Sequence, residues 1–149
     1  MRYSEDNRGK IQNLEAFHQR ILYDGIRYGS ITPTDIDGFF EYHNKLFVFY
    51  EFKYKNLDVP RGQLLALQRL CDGLVDGGKQ AILYLCTHSE KYTDVNAKEC
   101  DVERYYYKRE WYSGWSDNYK RYFKCGEITD TFMNFCEKHG VIENWRKTS

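Results

Sequence analysis

Apolar residues recur along this chain in two rhythms, and the changes between them mark the elements. Ile11, Leu14, His18, Ile21 and Leu22 follow three- and four-residue steps, which predicts a helix over 11–23 with Gly25 as its stop. Two strands follow, over 35–42 and 46–53, around the polar connection His43-Asn44-Lys45. The second is apolar at almost every position from Leu46 to Phe52, the pattern of a central strand covered on both faces. Leu64, Leu67, Leu70, Cys71 and Leu74 predict a helix from near Pro60 to about Leu74. After the Gly77-Gly78 break, residues 81–87 read as a buried strand and 100–112 as one longer strand. A last helix, capped by Thr129 or Asp130, carries Phe132, Met133, Phe135 and Cys136 and closes at Gly140. The expected order is α-β-β-α-β-β-α, an α/β fold with a mixed β-sheet flanked by helices.

Two charges at the end of a doubly covered strand need a reason. Period two places Glu51 and Lys53 on one side of their strand, and Asp35, Asp37 and Glu41 on one side of the strand before it. If His43, Asn44 and Lys45 form a three-residue loop, Tyr42 pairs with Leu46, Asp37 with Glu51 and Asp35 with Lys53. Direct partners have β-carbons about 4.5–5.5 Å apart. A two-residue loop would turn Asp37 to the other face. Carboxylates held face to face repel unless something positive lies between them. A hard divalent cation with oxygen ligands suits that role, and Mg²⁺ commonly uses one or two carboxylates together with substrate phosphate. The Lys53 ammonium would then position the attacking water and offset charge on the phosphate.

The run Thr34-Asp35-Ile36-Asp37-Gly38 on one strand, and Glu51-Phe52-Lys53 on the next, resembles the PD-(D/E)XK nuclease superfamily, whose fold is restriction-endonuclease-like. The resemblance spans roughly Leu14 to Leu85. It implies Mg²⁺, replaceable by Mn²⁺, held by Asp37, Glu51 and the backbone carbonyl of Phe52, with Lys53 assisting the water. It also implies a supporting metal ligand at Glu15 on the first helix and a catalytic glutamine at Gln63 on the second. The chain departs from the family pattern in lacking a literal Pro-Asp pair: Pro33 stands two residues before Asp35. Asp35 and Asp37 therefore both remain candidates, and Asp37 is preferred because it follows the apolar Ile36 and faces Glu51.

Composition narrows the partner. The 149 residues suit one domain with a sizeable core, and the formal net charge is zero, which argues against coating of nucleic acid by charge alone. Residues 103–124, however, form an aromatic-basic segment. From Arg104 to Lys124 six basic residues stand against the two acids Glu110 and Asp117, interleaved with Tyr105, Tyr106, Tyr107, Trp111, Tyr112, Trp115, Tyr119, Tyr122 and Phe123. Rings stack on bases while cations meet phosphates; equally, half of these rings could fill the core under a cover of cations. Lys55, Arg61, Lys108, Arg109, Trp115, Lys120 and Arg121 are the candidate nucleic-acid contacts. Five scattered cysteines without a Cys-x-x-Cys pair argue against a disulfide framework or structural zinc. No apolar run approaches the roughly 20 residues that span a bilayer, and the polar start, Met1 to Asp6, lacks a signal-peptide core, so a cytoplasmic protein is expected.

The expectation is thus a Mg²⁺-dependent nuclease acting on DNA, with a homodimer as one arrangement for cutting both strands. Two other classes are set beside it. One is a nucleic-acid-binding module on the same fold that does not cut. The other is a protein-interaction domain that uses the aromatic segment.

Overall fold

The structure, a computed structural model, describes residues 19–143, and the chain divides into two compact units, Met1–Thr34 and Asp35–Ser149. In the first unit residues 19–23 are irregular, so the expected first helix does not reach Tyr23. Its earlier part, including Glu15, lies outside the described residues. Gly25, at φ 81°, still turns the chain, and the Ile26 N–H closes that turn on the Tyr23 carbonyl at 2.9 Å.

The second unit is organised by a five-stranded mixed sheet in the order β1 (Gly38–Tyr42), β2 (Leu46–Tyr54), β3 (Gln80–His88), β4 (Asp101–Tyr107), β5 (Glu110–Ser113). β2 and β3 run parallel and are joined by helix α1 (Arg61–Asp76); every other neighbouring pair is antiparallel. A short hairpin, β6 (Trp115–Ser116) with β7 (Arg121–Tyr122), and helix α2 (Cys125–Lys138) complete it. Among the described residues no helix is long and apolar enough to cross a membrane.

The continuous apolar run of β2 is explained by a layer on each side. Leu46, Val48, Ile82, Tyr84, Cys86 and Val102 share a core with Phe132, Met133 and Cys136 of α2. On the opposite side Phe49, Ala81, Leu83, Leu85 and Tyr106 pack with Leu67 and Cys71 of α1. Each large apolar side chain so buried contributes about 1.5–3 kcal/mol. Leu70 lies beyond the edge of the α1 stripe and is exposed.

Three elements differ from the expected order. The stretch 100–112 is two strands, because Lys108 and Arg109 both take the left-handed conformation (φ 48° and 66°) and turn β4 back as β5. α2 begins at Cys125, not near Thr129, because the Glu127 carboxylate accepts the Lys124 N–H at 2.7 Å and closes the first turn there. Thr129 instead sits within the helix, its hydroxyl 3.0 Å from that of Tyr50. The β6–β7 hairpin had no counterpart in the expected order.

Candidate active site

The β1–β2 hairpin sets the geometry. His43 and Asn44 take φ 46° and 61°, the Lys45 N–H donates to the Tyr42 carbonyl at 2.8 Å, and Tyr42 pairs with Leu46 and Gly38 with Tyr50. This is the register that brings Asp37 to Glu51. Backbone pairing stops at Gly38, though, three residues later than expected. Beyond it the Asp37 side chain takes over: its Oδ2 accepts the Phe52 N–H at 2.8 Å.

Asp37 is exposed, whereas Glu51 faces the α1 side and is only 7% exposed. Burial, then the Asp37 carboxylate, push the Glu51 carboxyl up to about 7, with Gln63 opposing and Asp35 adding repulsion. Gln63, in the first turn of α1, donates to Glu51 Oε1 at 2.9 Å and to the Asp35 carbonyl at 3.2 Å. One helix start therefore ties both acidic segments together. Glu51 Oε2 is buried with no hydrogen-bond donor; what confronts Glu51 is the Asp37 carboxylate, another acceptor. Two acceptors in that relation are relieved by a shared proton or by a cation.

Lys53 shares the Glu51 side of β2, yet its expected partner is replaced. Its Nζ lies 3.1 Å from Glu103 Oε2, and the lysine side chain is 13% exposed. The cause is a bulge in β4: Leu85 pairs with Arg104 but Cys86 with Val102, leaving Glu103 as the extra residue. A bulge of this kind re-aims a side chain, here toward Lys53. Glu103 escaped the sequence reading because bulges leave no mark in a hydrophobic pattern. Among the described residues no group of three or more acidic, His or Cys side chains is placed to hold a metal ion; what the site offers is the pair of carboxylates, Asp37 and Glu51.

Beside Lys53 lies a cleft of about 440 Å³, lined by Lys53, Lys55, Asp58, Asp101, Glu103 and Tyr122 among others. Lys55 thus shares this cleft with Lys53, while Asp37 and Glu51 are not among its lining residues. Trp115, Lys120 and Arg121 sit on the β6–β7 hairpin, where Trp115 packs edge-to-face on Tyr122 at 5.2 Å. Arg61 is exposed at the start of α1. Lys108 and Arg109 lie at the other end of β4, where Arg109 pairs with Asp76 at 2.8 Å; the fold does not bring them to this cleft. Within the segment, Tyr106 is buried in the core, while Trp115 and Tyr119 are exposed.

The chain matches no family model, no curated protein and no solved structure.

Proposed function

We propose that the chain is a Mg²⁺-dependent nuclease that hydrolyses phosphodiester bonds in DNA, built on a PD-(D/E)XK-like core. The observation that carries this reading is the approach of Asp37 to the buried Glu51, whose Oε2 has no donor. A folded protein keeps such a pair where a cation or proton has work to do between them.

In this reading Asp37, Glu51 and the Phe52 carbonyl would hold the ion. Asp37 is oriented by the Phe52 N–H and Glu51 by the Gln63 amide. When bound, Mg²⁺, or Mn²⁺ in its place, supplies charge to the phosphate and acidifies water. Lys53, steadied by Glu103, positions the attacking water and stabilises the charge that builds on the phosphate. Gln63 keeps Glu51 in place through its hydrogen bond to Oε1.

The test is cleavage of plasmid and oligonucleotide DNA with Mg²⁺ or Mn²⁺ by wild type, Asp37→Ala, Glu51→Gln and Lys53→Met. Each substitution is expected to lower the rate about 100-fold or more. Equal cleavage by all four proteins sinks the proposal. The Lys53–Glu103 ion pair favours a second reading, a module that binds nucleic acid without cutting. Binding supported by Ca²⁺, without cleavage by wild type in Mg²⁺, is its signature.

A further inference from the structure

The β6–β7 hairpin reaches the cleft through Tyr122, and although its rings touch one another and Arg121, each keeps a large part of its face open to solvent. Trp115 is 44% exposed, Tyr119 64% and Tyr122 37%. Tyr122 lines the same cleft as Lys53 and Lys55. The hairpin is also fixed in place: the Val102 N–H donates to the Phe123 carbonyl at 2.9 Å, the Phe123 N–H to the Gly114 carbonyl at 2.8 Å, and the Gly114 N–H to the Glu103 carbonyl at 2.9 Å. The bulge residue that holds Lys53 thus also anchors the aromatic hairpin.

We propose that Tyr122 and Trp115 form a stacking platform for unpaired bases beside the cleft, so that the preferred substrate is nucleic acid with unpaired nucleotides, not uniform duplex. This rests on the hydrolytic reading for the position of the scissile phosphate. A ring can accept a base face only when that base has left the helical stack. The charges favour the same substrate. A duplex presents one phosphate charge per roughly 1.7 Å of axis and is gripped by arrays of free cations. Here Lys53 is engaged by Glu103, Lys124 by Asp101 and Arg121 by Glu127, and Asp58 faces the cleft as well. Among the described residues of the cleft, its hairpin and the start of α1, Lys55, Lys120 and Arg61 are the cations without an acidic partner. Stacking supplies the affinity that so few free cations cannot.

The experiment is fluorescence anisotropy with end-labelled oligo(dT) of roughly 20 nucleotides, a length covering more than one stacking site, and a blunt duplex of equal length. Ca²⁺ replaces Mg²⁺ to hold off cleavage. The single strand is expected to bind wild type at least tenfold more tightly than the duplex. Tyr122→Ala and Trp115→Ala should each lose about fivefold or more on the single strand, while Tyr122→Phe keeps wild-type affinity. Duplex binding as tight as single-strand binding overturns the proposal. So do alanine variants that are folded by circular dichroism and keep full single-strand affinity. The two readings separate cleanly. Stacking losses without Mg²⁺-dependent cleavage leave the platform standing and remove the hydrolysis; cleavage with an unchanged strand preference in Tyr122→Ala does the reverse.

Discussion

Glu51 is where the fold stores its electrostatic tension. Its carboxyl is raised from the ordinary 4.5 to about 7 by burial and by Asp37. A folded-state value above the unfolded one means the folded chain holds the proton more tightly. The associated stability is present in full below about pH 4.5 and is lost as pH climbs through about 7. Water at the exposed Asp37 screens part of the repulsion, so the loss is about 1–2 kcal/mol. Without divalent ion, wild type should be more resistant to urea at pH 5 than at pH 8, and Glu51→Gln should flatten that profile and be the more stable at pH 8. An unchanged profile in Glu51→Gln would show that Glu51 titrates normally. Lys53 offers a contrasting case. Its partner Glu103 is 41% exposed, so Lys53→Met should shift stability by about 1 kcal/mol or less. The same change should lower Mg²⁺-dependent cleavage about 100-fold or more. Parallel losses of stability and rate would assign Lys53 to the fold, not the chemistry.

At the scale of elements, the hairpin that aligns Asp37 with Glu51 was legible because loop length and alternation together determine register. The apolar run of β2 and the Leu64–Leu67–Cys71 stripe of α1 were legible for a similar reason: burial repeats with the period of the element. Departures arose where local chemistry overrode the pattern. Lys108-Arg109 carries none of the Asn-Gly or Asp-Gly signal of a tight hairpin, yet both residues turn left-handed. α2 starts at Cys125-Gly126, without a Ser, Thr, Asp or Asn cap, and uses Glu127 to hold its first N–H. The Glu103 bulge has no sequence signal at all. Gly114 shows how tightly these irregular parts fit. A β-carbon there would stand 1.7 Å from the Val102 carbonyl oxygen and 2.7 Å from its carbon. Backbone cannot yield as a flexible side chain can, so Gly114→Ala should cost about 3 kcal/mol and loosen the β6–β7 hairpin. Urea denaturation measures the cost, and hydrogen exchange at the Val102 and Phe123 amides reads the loosening. Full protection of both amides in the variant would show that the close approach is not needed.

For the whole molecule, the question is where a chain of zero net charge can meet a polyanion. Read linearly, Arg104 to Lys124 is a basic stripe; folded, three of its six cations are paired with carboxylates. Arg109 pairs with Asp76, Arg121 with Glu127 and Lys124 with Asp101, while Arg104 lies over the Trp111 ring and Lys108 over that of Tyr107. The segment is therefore also split between the two ends of the sheet. If Lys55, Lys120 and Arg61 are the cations left to meet phosphate, the slope of log affinity for a single strand against log salt should be about −2. Free use of the whole stripe would give about −4. Variants locate the charge. Asp101→Asn releases Lys124 beside the cleft and should steepen the slope by about 0.7, the increment for one further phosphate on a single strand. Asp76→Asn releases Arg109 at the far end and should leave the slope as it is. Equal steepening by both variants would mean that the strand runs the length of the sheet, and that the binding surface is not confined to the cleft and its hairpin.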